Sequence, residues 1–241
     1  MRPLILSKMT LTYDNFLSSQ VTAFTSDRTV DFNLNKNQGI FDKAQKDFFF
    51  SYLKFDLPQV VNIRQVHGSR VIVLDKLFFP KDTIEEADGL ITNLKNLPLA
   101  VRTADCLPIF LYDAFSQSIG LVHAGWRGSQ QGIVGEALKL MKQFYHSEVK
   151  NVKVILGPTI RSCCYQVGNE FADHFPRETM KRENSYYLDL PEANKHQLID
   201  FGIQEENIFD SGVCTCCHKE YFSYRREGPS TGRMISMMML R

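Results

Sequence analysis

Two apolar runs separated by a short polar link dominate the middle of the chain. Leu107–Leu111 and Ile119–Val122 carry large apolar side chains, and Asp113–Ser118 between them carries mostly small and polar ones. Runs of this length bounded by turn residues are typical of strands. The pattern predicts an antiparallel hairpin, in which the start of one strand lies beside the end of the other.

Elsewhere, strand-like and helix-like patterns follow one another in irregular order. Apolar runs and alternations predict further strands at 24–34, 58–66, 70–75, 97–104, 151–156, 186–190 and 234–240, with a loop at 78–87. Apolar spacing of three and four, or a helix-start signal, predicts helices at 42–54, 129–145, 169–176 and 191–201. This order argues against a regular doubly wound sheet. It favours an α+β fold with mixed sheets and helices packed outside them.

Composition narrows the class of protein further. The 241 residues are enough for one large domain or two small ones, and 44% hydrophobic with 12% aromatic residues supports a substantial core. Of these two, we expect a single domain spanning 1–241. A formal charge of +1, from 28 basic and 27 acidic residues, gives no electrostatic case for nucleic acid or an anionic membrane.

The expected location of the chain is cytoplasmic. No apolar run approaches the roughly 20 residues that span a bilayer, and the first residues lack the features of a secretory signal. In the cytoplasm the six cysteines are expected to stay reduced.

Three side chains with metal-binding or nucleophilic chemistry border the predicted strands. Cys106 precedes the first strand of the hairpin and His123 follows the apolar run of the second, so antiparallel pairing makes them neighbours. His67 ends the strand-like run Val60–Val66, and Gly68 allows a sharp turn there. A thiolate and imidazoles at one sheet edge can bind a metal or form a nucleophile–base pair.

The composition of this trio is that of a catalytic zinc site, which has three protein ligands and a fourth position for water or substrate. The plainer interpretation is two hydrogen-bonded core histidines and an inert buried thiol.

Two aspartates are candidate neighbours of the trio. Asp88, in the turn of ADG, either orients a ligand histidine or forms an Asx-turn. Asp105 neighbours Cys106 along a predicted strand and so faces away from it. We expect Asp105 to bind backbone amides or an arginine rather than the metal.

The other cysteines form two short clusters. Cys163 and Cys164 are predicted to be buried thiols under the site, since adjacent cysteines rarely bridge each other. The cluster CTCCH is a rival metal site, but its close spacing favours structural thiols over a second metal. Its chemistry-bearing residues are Cys214, Cys216, Cys217 and His218.

Five ordered motifs give the sequence a family resemblance. They are QVHG at 65–68, TADCLP at 103–108, HAGWRG at 123–128, LGPTIRSCCYQVG at 156–168 and the segment from SGVCT to YFSYRREGPSTGR at 211–233. Together they resemble the YfiH-type family, also called the multicopper polyphenol oxidase or laccase-domain family. The resemblance implies a single layered α/β/β/α domain similar to cysteine hydrolases, and His67, Cys106 and His123 as metal ligands and catalytic residues.

The resemblance also implies a function. Members of the family are purine nucleoside phosphorylases with adenosine deaminase activity, so the expected partners are purine nucleosides and phosphate, and the expected cofactor is zinc or copper. A zinc-activated water would attack C6 of adenosine, and phosphate would attack the anomeric carbon of the ribose.

Three other functions stay open. A metal-free Cys–His hydrolase could act on amide bonds of cell-wall precursors. Copper-dependent oxidation of phenols needs more histidines than the six present. The last is a metal-binding domain without catalysis.

Several arginines are candidates for holding phosphate or the nucleoside. An arginine fork recognises phosphate bidentately, whereas the plainer interpretation of each is a salt bridge or a solvated surface side chain. The turn after His123 adds backbone N–H groups at a predicted helix start, where an anion can bind. The candidates are Arg28, Arg127, Arg225, Arg226 and Arg233.

Overall fold

The predicted hairpin lies at the centre of the structure. Its strands, Leu107–Asp113 and Ser118–Ala124, are buried along their whole length and pair antiparallel. The Asp113 carboxylate closes the link by accepting hydrogen bonds from Phe115 N (2.9 Å) and Ser116 Oγ (2.9 Å). An aspartate that caps its own turn in this way fixes the register of the two strands.

The computed structural model describes residues 10–33, 41–53, 60–61, 63–75 and 85–241. Its strands are β1 Leu11–Thr12, β2 Val21–Thr25, β3 Val71–Leu74, β4 Gly89–Thr92, β5 Leu99–Thr103, β6 Leu107–Asp113, β7 Ser118–Ala124, β8 Val152–Leu156, β9 Gln166–Val167, β10 Thr179–Arg182, β11 Ser185–Leu188, β12 Ile208–Asp210 and β13 Met234–Leu240. Its α-helices are α1 Asp14–Leu17, α2 Lys43–Leu53, α3 Trp126–Gln130, α4 Ile133–Tyr145, α5 Phe171–His174, α6 Leu190–Asp200 and α7 Tyr224–Glu227.

Two layers of strands form the body of the fold. The larger sheet has the order β12-β8-β6-β7-β4-β3 and contains both parallel and antiparallel pairs. The second sheet has the order β1-β2-β13-β5 and is antiparallel. A small third sheet, β10-β11-β9, adjoins them. The predicted α+β class with mixed sheets is confirmed.

Alternation along single strands shows how the layers stack. In β6, Phe110 and Tyr112 join a cluster with residues of the second sheet, whereas Ile109 and Leu111 pack with α4. In β13, Met238 faces the larger sheet, and the methionines on either side of it pack with residues of α2. Successive strand residues point to opposite faces. Both sheets are therefore covered on both faces, in the order α/β/β/α.

Several predicted elements hold their positions and others do not. The strand predicted at 24–34 is wrong: β2 ends at Thr25 and lies inside its sheet, between β1 and β13. The described part of 58–66 forms only isolated bridges, Val61 with Leu99 and Arg64 with Glu86. Most of the predicted loop at 78–87 and the side chains of Tyr52 and Leu53 lie outside the described residues.

The helix predicted at 129–145 is two helices. α3 ends at Gln130, and Gly132 then adopts φ 74°, a left-handed conformation that glycine adopts readily and that interrupts the helix. The apolar stripe of α4 is buried as the three-and-four spacing predicted. α3 is therefore too short to act as an extended helix dipole at the site.

Within the described ranges, no helix combines the length and the apolar character needed to cross a lipid bilayer.

The central hairpin offers a matched test of packing. Phe110 is fully buried, and its ring centroid lies 4.9 Å from that of Tyr13. By contrast, Phe115 in the turn is 83% exposed. Phe110→Ala is expected to lower the free energy of unfolding by about 3–5 kcal/mol, because it removes buried surface and leaves a cavity. Phe115→Ala should change it by less than about 0.5 kcal/mol. Urea unfolding measures both, and equal effects would contradict this account of the core.

Candidate metal centre and cavity

Three elements bring the Cys/His trio together. The β6–β7 register pairs Pro108 with His123, so Cys106 at the start of β6 lies next to the His123 ring. His67 comes from the turn that precedes β3. One donor atom from each of the three lies within 4.8 Å of the others, and the two imidazole centroids are 4.9 Å apart.

The three side chains differ in their exposure to solvent. His123 is buried at 2% exposure, Cys106 is half-buried, and His67 is exposed. All three line one cavity. The trio is thus held from the protein side and open on the other, which suits three protein ligands and one position for a reactant.

A buried carboxylate holds two members of the trio in place. Asp88 is fully buried and accepts hydrogen bonds from the backbone N–H groups of Val66 (3.2 Å), His67 (3.0 Å) and Gly68 (2.7 Å). Its Oδ1 also lies 2.7 Å from Nδ1 of His123. This contact directs Nε2 of His123 away from Asp88, as in carboxylate–histidine–metal arrangements. Of the two interpretations of Asp88, orientation of a histidine is the one the structure supports.

Electrostatics favour a charged pair at the centre. Burial opposes charge on Cys106, but contacts with His123 and His67 outweigh it and lower the pKa of the thiol. Burial likewise opposes charge on His123, but Cys106 and Asp88 raise the pKa of its imidazole. Burial opposes charge on Asp88 as well, but hydrogen bonds from His123 and from the backbone N–H groups of Gly68 and Val66 hold the pKa of its carboxyl below the usual value. Cys106 is therefore a ready thiolate, the form that acts as nucleophile or metal ligand.

The turn at His67 carries an unusual backbone conformation. His67 itself adopts φ 60°, and Gly68 is not among the residues with positive φ. A left-handed non-glycine residue costs free energy and is held here by the Asp88 hydrogen bonds. The chain turns at His67 and Gly68 as expected, but the left-handed residue is the histidine rather than the glycine.

Close packing leaves no room for a side chain at two glycines in the segment that follows β7. A Cβ on Gly125 would lie 3.0 Å from Cδ2 of His67 and 3.2 Å from Cys106 Sγ. A Cβ on Gly128 would lie 2.7 Å from the carbonyl oxygen of Gly68. Gly125 therefore lets the chain after β7 pass directly against the side chains of His67 and Cys106, and Gly128 lets it pass against the backbone at Gly68.

Asp105 bonds to groups other than the trio, as expected, but it lies in a bend with φ 89° rather than in the predicted strand. Its carboxylate is buried and accepts hydrogen bonds from Thr215 Oγ1 (2.6 Å), Ser223 Oγ (3.1 Å) and the backbone N–H of Arg225 (2.7 Å). It thus ties the start of β6 to the C-terminal segment, which forms one wall of the cavity.

The cavity beside the trio has a volume of about 730 Å³ and is lined by arginines from distant parts of the chain. Three of the candidates from sequence are among them, Arg127, Arg225 and Arg233. Arg127 lies over the Trp126 ring, 4.5 Å from its centroid. Arg225 donates to the carbonyl oxygens of Cys164 (3.2 Å) and Gln166 (2.9 Å).

Two other candidates do not line the cavity. Arg28 forms an ion pair with Glu227 at 2.9 Å. Arg226 donates to the carbonyl oxygens of Thr215 (2.7 Å) and Cys216 (2.9 Å), and it contacts Glu227 as well. Both arginines brace the C-terminal segment.

Sequence reasoning missed two arginines of the cavity, Arg64 and Arg102. Arg102 lies in β5, and burial together with the nearby charge of Arg233 lowers its pKa to about 10. Its Nη2 donates to the carbonyl oxygen of Ile63 at 2.8 Å. An isolated arginine in an apolar strand gives no signal of a neighbouring arginine some 130 residues later, so only the fold reveals this pair.

The prediction that Cys163 and Cys164 are buried beneath the site is wrong. Cys163 is exposed and Cys164 is half-buried, and neither lines the cavity. They lie in the turn at 162–164, where Cys164 N bonds to the carbonyl oxygen of Arg161 at 2.8 Å. The turn carries both thiols to the surface.

The layered fold and the donor trio beside an arginine-lined cavity define an α/β/β/α protein of the laccase-domain class. The chain belongs to the multi-copper polyphenol oxidoreductase laccase family, whose model matches residues 41–241.

Relatives and solved structures agree with this assignment. The chain is 32% identical to a purine nucleoside phosphorylase of Clostridium acetobutylicum, over 89% of each chain. It is 32% identical to the adenosine deaminase RL5 of an unknown prokaryote, over 76% of each. The crystal structure of YlmD from Geobacillus stearothermophilus superposes with a TM-score of 0.81 at 29% identity, covering 92% of this chain and 93% of that one.

The contacts of Asp88 predict a large effect of neutralising it. Asp88→Asn is expected to lower the free energy of unfolding at pH 7 by about 2–4 kcal/mol, because an amide cannot accept all of these hydrogen bonds in a buried position. Glu86→Gln is the control. Glu86 is exposed and pairs only with Arg64 in the described structure, so its loss should cost less than about 1 kcal/mol.

The pH dependence of this effect follows from the lowered pKa of Asp88. The stabilisation is present above the unfolded value of about 3.9 and is lost as the pH falls through the folded value. Urea unfolding as a function of pH measures it. Equal losses in Asp88→Asn and Glu86→Gln would contradict the assigned role.

Proposed function

We propose that this protein is a zinc-dependent purine nucleoside phosphorylase that also deaminates adenosine. Its substrates would be adenosine, inosine and methylthioadenosine. Phosphate would convert each to the free base and ribose 1-phosphate, or 5-methylthioribose 1-phosphate in the case of methylthioadenosine. The observation that carries the proposal is that the Cys/His trio and five arginines line the same cavity. The names of the relatives from Clostridium acetobutylicum and of RL5 support the substrate class.

The donor set fits zinc. His67, Cys106 and His123 offer two nitrogens and one sulfur, which zinc binds in catalytic sites. The same set accepts copper, but a multicopper centre needs further histidines near the trio. When bound, zinc supplies Lewis-acid chemistry that polarises substrate groups and activates water.

The arginines supply the environment that phosphate needs. The cavity lining includes Arg64, Arg102, Arg127, Arg225 and Arg233. Such a concentration of guanidinium groups attracts an anion and offers forked donors to its oxygens. Phosphate held there would attack the anomeric carbon of the ribose while the glycosidic C–N bond breaks. The base leaves with the bonding electron pair and takes up a proton.

Aromatic side chains in the cavity can receive the purine. Trp126, Tyr165 and Tyr224 belong to the lining. Trp126 also packs on Phe171, with ring centroids 4.9 Å apart, so its plane is fixed. A fixed aromatic face orients a base by stacking and apolar contact. A volume of about 730 Å³ lies in the range of small-molecule sites.

A second candidate is a metal-free hydrolase that cleaves amide bonds of cell-wall precursors. Asp88 contacts His123, and His123 contacts Cys106. The distance from Asp88 Oδ1 to His123 Nδ1 is 2.7 Å. A carboxylate that orients a base beside a thiol is the arrangement of a cysteine nucleophile. The exposed His67 beside the same thiol favours the metal interpretation, because a nucleophile–base pair has no need of it.

Incubation of the purified protein with adenosine separates these functions. Adenine that forms only with phosphate would support phosphorolysis, and inosine would support deamination. Cys106→Ala is expected to remove the zinc held by the trio and to lower both activities at least about 100-fold, because it removes one of that ion's three ligands. Cys216→Ala, a cysteine outside the cavity lining, is the control and should retain both.

Metal analysis decides between the two candidates. Full activity in metal-free wild-type protein would overturn the zinc proposal and favour the thiol hydrolase. Release of free base from a nucleoside in the absence of phosphate would contradict the phosphorolytic assignment.

The arginine lining predicts a specific effect on phosphate. Arg233→Lys keeps the charge but loses the forked donor, so the KM for phosphate is expected to rise about tenfold while the protein stays folded. Arg28→Lys is the matched control, because Arg28 lies outside the cavity and pairs with Glu227. Steady-state phosphorolysis at varied phosphate measures both. An unchanged KM in Arg233→Lys would remove this arginine from the phosphate site.

A further inference from the structure

Four cysteines form a second cluster outside the cavity. They are Cys163, Cys164, Cys214 and Cys217, and all four sulfurs lie within 4.8 Å of one another. Cys217 Sγ is 3.6 Å from that of Cys163 and 3.3 Å from that of Cys164. None of the four lines the cavity. The cluster joins two chain segments about 50 residues apart in sequence, which meet at the bridge between Thr159 and Cys214.

The spacing of the sulfurs matches tetrahedral coordination of a metal. Zinc–sulfur bonds of about 2.3 Å place the corners of a tetrahedron about 3.8 Å apart. A disulfide needs about 2.05 Å between two sulfurs and leaves the other two unused. All six cysteines of the chain are free thiols in the structure. Four sulfurs around one point suit an ion better than any single pairing.

The segment Cys214–Cys217 has the conformation of a metal-binding knuckle. Two residues separate these cysteines, which is the C-x2-C spacing of zinc ligands. The chain between them turns tightly, and His218 N bonds to the carbonyl oxygen of Cys214 at 3.0 Å. The turn brings the two sulfurs within 4.8 Å of each other, close enough for one cation to bind both.

The second pair of ligands is adjacent in sequence. Cys163 and Cys164 can face the same point because they lie in a turn, where neighbouring side chains do not alternate as they do in a strand. A metal ion that binds such thiols displaces their protons.

We infer that Cys163, Cys164, Cys214 and Cys217 form a closed structural zinc site. Four protein ligands leave no position for a reactant, so the site stabilises structure rather than performing catalysis. The spacing within the cluster CTCCH favours structural thiols when that segment is considered alone. The structure adds Cys163 and Cys164, which lie about 50 residues earlier in the sequence and supply the other two sulfurs.

The proposed site would fasten the wall of the cavity. Thr159 Oγ1 donates to the carbonyl oxygen of Asp105 at 2.7 Å, and Thr215 Oγ1 donates to its carboxylate at 2.6 Å. Arg225 donates to the carbonyl oxygen of Cys164. Both cysteine-bearing segments therefore contact the residue next to Cys106 or an arginine of the cavity, and an ion between them would hold the two segments together.

The test counts zinc in a Cys106→Ala background, so that it is independent of the proposed catalytic metal. The full-length Cys106→Ala protein, purified with zinc and dialysed, is expected to hold about one zinc ion per chain. Adding Cys217→Ser should remove that ion. Adding Cys216→Ser instead should retain it. Cys216 occupies the same turn but is not in the set whose sulfurs all lie close together, so it is the matched control.

A spectroscopic measurement guards against misfolded variants. Cobalt added to the Cys106→Ala protein should give the intense visible absorption of tetrahedral cobalt thiolate, and zinc should displace it. Equal zinc in the Cys217→Ser and Cys216→Ser proteins would overturn the proposal. A zinc-free Cys106→Ala protein that gives no cobalt spectrum would overturn it as well, as would native mass showing a disulfide within the cluster.

Discussion

The buried carboxylate of Asp88 is the interaction on which the site depends. It is fully buried, and three consecutive backbone N–H groups and one imidazole satisfy it. Because an unpaired buried charge is very unfavourable, these partners are held as firmly as the carboxylate itself. One side chain therefore imposes the left-handed backbone of His67 and the ring orientation of His123. Cys106 then needs only the β6–β7 register to complete the trio.

That register rests on the layered packing of two sheets. Residues of β6 alternate between the cluster shared by the sheets and the cluster under α4, so a slip by one residue would exchange both sets. The Asx-turn at Asp113 closes the same hairpin from the far end. The position of a sulfur beside two nitrogens is thus determined by apolar packing many residues away. This rigidity suits a site whose members must keep coordinating distances.

The cavity combines this rigid edge with charges drawn from the whole chain. Arg102 comes from β5, Arg127 follows β7, and Arg225 and Arg233 precede the last strand. Guanidinium groups repel one another, and partial burial together with the charge of Arg233 lowers the pKa of Arg102. An anion relieves that repulsion. The near-neutral net charge of the chain conceals this local concentration, so overall composition gives no indication of it.

The sequence by itself determined the hairpin and the α+β class, because their apolar patterns repeat over short stretches of the chain. It also identified Cys106, His123 and His67 as candidate metal ligands or nucleophiles, because each borders an apolar run. Motif resemblance added their grouping. Tertiary structure alone decided that His67 rather than Gly68 is the left-handed residue of the turn, that Arg102 joins Arg233, and that Cys163 and Cys164 meet Cys217 at the surface. Periodicity reports which face of one element is buried. It carries no information on which distant loops the packing of the two sheets brings into contact.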